Sequence, residues 1–397
     1  MCYNDILMTI IAEKMIFGGD CLAKVDGKAV LVSGALPGET VSVALTESHR
    51  DYDRARVTAI LEPSPDRVEP QCELYGTCGG CSLMHCASKA QRQLRRQLLQ
   101  DCFMREGIDC PPIATIAGPD FGYRSRFQFF DGGLRRRSSH ECVMPSRCPI
   151  AESPINDWLE QVPPKERPTG RIQVFGSQYA GGALVIGTRA TAHRQRAQTP
   201  RARFSGTVID PQKVAVVTVA GARIAFDVRG FFQSNLFVLE RAVNEICLPL
   251  PAGSILDMYS GCGTFSALLK NRARHLTLVE HNRDALVFAE QNIAGTAHDS
   301  YGMTGARWAA EQAPAVPFDG LVIDPPRSGM ERAVRDWISR SGIPVISAIS
   351  CNPATQARDV RQLLDAGYRL ERLVLLDFYP QTSHIESLAV LKHRERL

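Results

Sequence analysis

Covalent catalysis needs a nucleophile and a base that can reach one cleft, and two residues near the end of the chain have those types at matching positions. Cys351 closes an apolar run in Ser350-Cys351-Asn352-Pro353, at the edge expected for the end of a buried strand. Glu386 opens another apolar run, Ser387-Leu388-Ala389-Val390-Leu391, after the polar stretch Asp377-Phe378-Tyr379-Pro380-Gln381-Thr382-Ser383-His384-Ile385. A cysteine at a strand end is ordinarily a small buried hydrophobe. It becomes a candidate nucleophile when a carboxylate shares its edge and can take up a proton.

A ligand site stands on the same edge. The apolar run Ile255-Leu256-Asp257-Met258-Tyr259 leads into Ser260-Gly261-Cys262-Gly263-Thr264-Phe265, and the next run, from His275, ends in Glu280. Glycines let the backbone turn sharply and approach a ligand, and a carboxylate at the second strand's end can accept hydrogen bonds from ribose hydroxyls. The third glycine of a dinucleotide fingerprint is missing, because Ser266 takes its place. An adenosine ligand without a pyrophosphate fits better, and S-adenosylmethionine is the common one. Asp324-Pro325-Pro326-Arg327 ends a further buried run at the same edge, as a ligand contact or simply as a strand-ending turn.

Cysteine, carboxylate and a methyl donor together point to a particular reaction. C5 of uracil is too weak a nucleophile to take a methyl group unaided. A thiolate adding at C6 makes C5 nucleophilic, and a base then removes the C5 proton so that elimination frees the enzyme. Cys351 and Glu386 would fill those two roles.

A second set of reactive side chains lies in the first half. The chain has 13 cysteines, and Cys72, Cys78 and Cys81 form C-x5-C-x2-C, with Cys148 further on in Arg147-Cys148-Pro149. Four thiolates can hold zinc or an iron–sulfur cluster, and spacing leaves the two open, with Cys86 competing as a ligand. In a chain expected to be cytosolic a disulfide framework is disfavoured. The remaining cysteines, among them Cys2, Cys21, Cys102, Cys110, Cys142, Cys247 and Cys262, have no motif around them.

The elements that must position these groups follow from length and patterning. At 397 residues the chain should form two or three units, each with its own core. Short runs broken by glycine turns, Ala29 to Val32, Val41 to Leu45 and Arg56 to Leu61, predict a small β-barrel over residues 1–62. The Pro-rich joint Glu62-Pro63-Ser64-Pro65-Asp66 closes it. A central α+β domain over 63–229 contains a helix from Lys89 to Glu106, with Leu94, Leu98, Leu99 and Phe103 on one face and Arg92, Arg95 and Arg96 elsewhere. Short strands are expected at Arg171 to Phe175, Ala183 to Ile186, Val214 to Val219 and Arg223 to Val228. From 230 to 397, alternating apolar strands and amphipathic helices predict a Rossmann-like, doubly wound, mostly parallel sheet. Its final strand should be antiparallel, because Leu370 to Leu391 returns on itself.

Charge adds little globally, with 46 Lys+Arg against 42 Asp+Glu. Locally, Arg124, Arg126 and Arg135 to Arg137 form one basic stretch, and Arg189, Arg194, Arg196, Arg201 and Arg203 another; phosphate neutralisation and solvated loops are both open readings. No secretory signal or membrane-length apolar window is present, so a soluble, cytoplasmic protein is expected.

Five ordered motifs then carry a family resemblance over essentially the whole chain. They are Phe231-Phe232-Gln233-Ser234-Asn235, Leu256 to Phe265, Asp324 to Arg327, Ser350 to Pro353, and Pro380-Gln381-Thr382…His384…Glu386. The sequence resembles the RNA 5-methyluridine methyltransferases that carry an N-terminal TRAM domain. Gly34-Ala35-Leu36-Pro37-Gly38-Glu39 looks like the TRAM turn, which implies RNA contact by that module. The resemblance implies that Gln233, Tyr259, Thr264, Glu280 and Asp324 contact S-adenosylmethionine, that Cys351 is the nucleophile, and that Glu386 is the base. It also implies that Cys72, Cys78, Cys81 and Cys148 hold a [4Fe–4S] cluster with a structural or RNA-positioning role. The chain departs from the family at Ser260, where cysteine is common, and leaves Cys351 intact.

By family association an rRNA substrate, specifically 23S rRNA, is expected ahead of the tRNA T-loop. No membrane or obligate protein partner is implied. Two other classes are weighed against this one: an amino-methyltransferase holding an exocyclic nitrogen on its Asp-Pro-Pro loop, and an RNA-binding or assembly factor with a relic fold. The first would need neither Cys351 nor Glu386, and the second would be expected to carry damaged motifs.

Overall fold

The computed structural model describes residues 7–188, 213–313 and 318–394. The basic stretch Arg189 to Arg203 lies outside the described residues. The chain forms two compact units, residues 1–98 with 135–143 and 379–384, and residues 99–134 with 144–378 and 385–397.

In the first unit, alternation of buried and exposed residues builds a six-stranded sheet. Its order is Leu7–Ile11, Thr40–Ser48, Tyr52–Glu62, Lys28–Ser33, Cys21–Val25 and Lys14–Met15. Neighbours are antiparallel except Lys28–Ser33 beside Tyr52–Glu62. The turn at 34–39 is pinned by the buried Glu39, whose carboxylate accepts from Leu36 N at 2.7 Å, Ser64 N at 3.1 Å and Arg67 Nη2 at 2.7 Å. A charge buried with that many donors is satisfied rather than stranded.

The helix Ser88–Arg105 forms where its apolar spacing predicts, with one difference in burial. Arg95 is not on a solvated face: it is 1% exposed, and its guanidinium donates to the Thr382 carbonyl at 2.7 Å and the Tyr379 carbonyl at 3.4 Å. Carbonyl partners 284 and 287 residues away in sequence cannot be read from helical periodicity. The same unit therefore includes the segment 379–384, which Gln91 clamps reciprocally: Gln381 N donates to Gln91 Oε1 and Gln91 Nε2 to Gln381 Oε1, each at 2.9 Å.

The second unit is built on an eight-stranded sheet in the order His298–Tyr301, His275–Val279, Ser254–Met258, Gly320–Ile323, Val345–Ser350, Glu386–His393, Tyr368–Leu376 and Ala114–Ile116. The first five strands are mutually parallel, and Glu386–His393 runs antiparallel to both of its neighbours. Strand Val345–Ser350 is buried along its whole length, as a central strand covered on both faces must be. Sheet order reverses direction about Ser254–Met258, and at such a switch point the carboxyl ends of adjacent strands leave a crevice. Smaller sheets, Leu184–Thr188 with Arg171–Gly176 and Arg126–Phe130, and the hairpin Val214–Val219 with Ala222–Asp227, complete this unit among the described residues.

Candidate active site

Four polar groups collect past the carboxyl ends of the parallel strands of the second unit. Tyr259 and the glycine loop follow Ser254–Met258, Glu280 follows His275–Val279, Asp324 follows Gly320–Ile323 and Cys351 follows Val345–Ser350. Glu386 joins them from the antiparallel strand, since Ser387 pairs with Ser350 and the next position along the same register sets Glu386 against Cys351.

The loop after Ser254–Met258 is shaped by its own side chains. Gly263 has φ +74°, and a Cβ there would lie 2.9 Å from both Cα and Cβ of Ala289 on the helix Arg283–Asn292, so only glycine fits. The buried Asp257 accepts from Ser266 N at 3.1 Å and Ser266 Oγ at 2.6 Å, tying the strand to the helix Thr264–Leu269. Ser266 thus holds a carboxylate where a dinucleotide fold would have glycine. Glu280 closes the other side: it accepts from Gly261 N at 2.9 Å and Asn282 N at 2.7 Å, and His281 Nδ1 stands 3.0 Å away. Neither Asp257 nor Ser266 was expected to act, since the motif shows them only as a strand residue and a missing glycine.

Gln233 sits in the buried loop before the helix Leu236–Cys247, whose N-cap Asn235 accepts from Val238 N at 3.1 Å and donates to the Phe378 carbonyl at 3.1 Å. Gln233 Oε1 and Ser260 Oγ are buried without a hydrogen-bond partner among the described residues. Buried polar atoms of this kind call for a polar ligand or water. Thr264 Oγ1 is 3.6 Å from Cys262 Sγ. A cavity of about 250 Å³ is lined in part by Phe226, Arg229, Phe231, Cys262 and Asn282.

Cys351, Glu386 and Asp324 sit in a poorly solvated environment with more acids than bases. Burial, and then the nearby Glu386 and Asp324 carboxyls, push the Cys351 thiol up to about 11, against the opposing pull of Arg327. Burial and Asp324 hold Glu386 well above the usual carboxylate range, again opposed by Arg327. Burial and Asp257 raise Asp324 to about 7. Arg327 is the cation common to Cys351 and Glu386, and its backbone carbonyl accepts from Asn352 Nδ2 at 3.0 Å and Thr355 Oγ1 at 3.3 Å, so the Asp-Pro-Pro-Arg loop is stitched to the cysteine loop. Clustered, mutually perturbed acids in a cleft are the pattern of a functional site.

The cysteines of the first half fall in both units. Cys72, Cys78 and Cys81 are half-buried on one turn-rich loop of the first unit, where Cys78 N donates to Leu74 O at 2.8 Å, Gly79 N to Arg135 O at 3.0 Å and Arg137 Nη2 to Cys81 O at 2.7 Å. Cys148 is half-buried in the second unit, its backbone bracketed by Asn156, which accepts from Cys148 N at 2.8 Å and donates to Cys148 O at 3.1 Å. Cys86 is different: it is buried against Leu36 and Ala90, and burial pushes its thiol up to about 11. Among the described residues no three histidine, cysteine or acidic side chains form a group that could hold a metal ion.

With this geometry in view, two family models match the chain: a tRNA (uracil-5-)-methyltransferase model over residues 312–394, spanning Asp324, Cys351 and Glu386, and a TRAM domain model over residues 8–58. A protein of Treponema denticola, an uncharacterized RNA methyltransferase, is 33% identical over 96% of this chain and 98% of its own length. The 23S rRNA (uracil(1939)-C(5))-methyltransferase RlmD of Halomonas elongata is 31% identical over 93% of this chain and 86% of its own. The chain belongs to the RNA uracil-C5 methyltransferase family. In three dimensions the chain is similar to the tRNA (uracil-54, C5)-methyltransferase of Pyrococcus abyssi, solved with S-adenosyl-L-homocysteine, with a TM-score of 0.74 over 97% of this chain and 100% of that one at 21% identity. That likeness establishes a shared fold. No helix among the described residues is long and apolar enough to cross a membrane.

Proposed function

We propose that this family member methylates C5 of a uridine in RNA, with 23S rRNA as the substrate class. The observation that carries the reading is the apposition of Cys351 and Glu386 at the ends of adjacent strands, next to the Asp324 loop. A nucleophile and a base on opposite strands can address C6 and C5 of one pyrimidine.

In this reading the Cys351 thiolate forms a bond to C6, and the C5–C6 π electrons move toward O4. S-adenosylmethionine, when bound, supplies the electrophilic methyl group that C5 takes up. Glu386 then accepts the C5 proton, the C5–C6 double bond re-forms, and the sulfur–C6 bond breaks to return the thiolate. Arg327, whose charge acts on both groups, favours the ionised forms that each step requires. Gln233, Tyr259, Thr264, Glu280 and Asp324 hold the cofactor, and the unpartnered Gln233 Oε1 and Ser260 Oγ fit a polar ligand there.

Residues 1–62 act as an RNA-gripping module, 63–229 as a cysteine-bearing middle and 230–397 as the methyltransferase proper. Cys72, Cys78, Cys81 and Cys148 are the thiolate donors for a [4Fe–4S] cluster. The donor type supports this: all four are half-buried cysteines, whereas Cys86 packs as a hydrophobe. Methyl transfer requires no redox step, so the cluster's place is structural or RNA-positioning. The rRNA assignment rests on the relatives that carry that name at about this chain's full length.

The test is incubation of the full chain with methyl-labelled S-adenosylmethionine and, separately, unmodified bulk rRNA and tRNA, followed by nucleoside analysis. Label in 5-methyluridine from rRNA alone is expected. Label in tRNA alone would reassign the substrate, and label on an exocyclic nitrogen would replace the reading with amino-methylation.

A further inference from the structure

Glu331 stands at the N-cap position of the helix Arg332–Ser341, yet its side chain makes no capping bond. An acidic residue there ordinarily serves the free amides of its own helix. Its Oε2 instead accepts from Ala306 N at 2.9 Å and from the Tyr259 hydroxyl at 3.3 Å, while Glu331 N donates to the Tyr259 oxygen at 3.4 Å. The tyrosine and the glutamate are therefore bound to each other twice.

Three further observations show that this contact is built. Tyr259 has φ +63°, a left-handed conformation that a bulky side chain adopts only where its surroundings enforce it. Gly305 leaves room for the pair: a Cβ there would lie 2.8 Å from Glu331 Oε2 and 3.1 Å from the Tyr259 hydroxyl. The residue beside Glu331 is anchored in turn, with Met330 N donating to Asp359 Oδ2 at 2.8 Å and Arg335 Nη1 bridging Met330 O and Asp359 Oδ1, each at 2.9 Å. Asp359 is buried on the helix Pro353–Asp365, the one that follows Cys351.

We propose that Glu331 is a positioning residue for the cofactor, which fixes Tyr259 in its left-handed conformation beside the glycine loop and so sets the affinity for S-adenosylmethionine. The proposal rests on the reading that Tyr259 contacts that ligand. None of the sequence motifs reaches Glu331, whose link to Tyr259 exists only in three dimensions. Because Glu331 acts through Tyr259, removing it must matter only while the tyrosine hydroxyl is present.

The experiment is calorimetric titration of S-adenosylmethionine into the full chain, wild type, Glu331→Ala, Glu331→Gln, Tyr259→Phe, Tyr259→Ala and the Tyr259→Phe/Glu331→Ala double variant, with single-turnover methyl transfer at saturating cofactor. Glu331→Ala is expected to weaken binding about 10-fold and to leave the saturated rate within about 2-fold, with Glu331→Gln retaining most of the affinity. In the Tyr259→Phe background the further loss should shrink to less than about 3-fold. Equal losses in both backgrounds, or a fall in the saturated rate that matches the fall in affinity, would overturn the proposal. Should Glu331→Ala not fold, the comparison of Glu331→Gln with and without Tyr259→Phe decides by the same criterion. Wild-type affinity in Tyr259→Ala would overturn the cofactor role of the tyrosine itself, and no binding by wild type would overturn the functional reading on which both depend.

Discussion

Cys351 and Glu386 lie together at the end of two antiparallel strands, close enough that the Glu386 carboxyl helps to raise the Cys351 thiol. The register that pairs Ser350 with Ser387 continues by one position into these two residues, beyond the last ladder pair. Both side chains thereby leave the sheet at the edge where the glycine loop and the Asp324 loop also end, and the burial that this edge imposes raises the pKa of each. The ladder that ends at Ser350 and Ser387 brings the proposed nucleophile and base to one end of the sheet.

That burial sets a pH dependence. In the proposed reaction the Cys351 thiol, pushed up to about 11, must ionise before it attacks, and Glu386, held above its ordinary range, must be ionised to take the C5 proton. Each requirement favours higher pH, so the single-turnover rate should rise, by up to roughly tenfold per unit, through neutrality and beyond pH 8. A rate that peaks below pH 6 would contradict this assignment.

Glu386→Gln should separate the two halves of the reaction. The amide cannot accept the C5 proton, so methyl transfer proceeds while release stalls, and enzyme bound covalently to methylated RNA accumulates as turnover falls by roughly 10²-fold or more. Free turnover at the wild-type rate would remove Glu386 from the mechanism.

Asp324 predicts a stability effect of definite sign. Its folded pKa of about 7 lies above the ordinary 3.8, so the folded chain holds that proton more tightly than the unfolded chain. The associated stabilisation is complete below pH 4 and is lost as pH rises through 7, with a magnitude on the order of a few kcal/mol. Asp324→Asn should therefore gain stability relative to wild type between pH 5 and pH 8 in thermal melts, even as its cofactor affinity falls. The opposite trend, wild type gaining on the variant as pH rises, would contradict the burial argument.

Much of this was legible in the sequence, and the reasons it was not legible elsewhere are physical. Strand periodicity and the glycine loop are local, so the strands ending near Tyr259, Glu280, Asp324 and Ser350, the antiparallel return at Leu370 to Leu391 and the placement of Cys351 at a strand end could be read directly, while the short polar edge strand His298–Tyr301 could not. The three-residue strand Ala114–Ile116, which extends the large sheet beside Tyr368–Leu376, could not, because its pairing is set by a partner some 260 residues away. The membership of 379–384 in the first unit, the burial of Arg95 and the Tyr259–Glu331 pair were hidden for the same reason. Ser266 illustrates the intermediate case: its position as a missing glycine argued against a pyrophosphate seat, but its bond to Asp257 needed coordinates.

The cysteine assignment separates ligands from packing residues. Protein purified anaerobically should carry iron and acid-labile sulfide, lost in Cys72→Ser and Cys81→Ser and retained in Cys86→Ser, whose site is an apolar contact with Leu36 and Ala90. Zinc without iron in the wild type would replace the cluster with a zinc site.

The central claim, covalent attack by Cys351, is tested most directly with RNA in which C5 carries fluorine, which cannot leave as a proton does. Wild type and Cys351→Ala are incubated with 5-fluorouridine-substituted rRNA or tRNA and S-adenosylmethionine, then resolved on a denaturing gel. A covalent protein–RNA band with rRNA, present in wild type and absent in Cys351→Ala, is the predicted result; no band with either RNA from protein that binds the cofactor, or an equal band in Cys351→Ala, would contradict it.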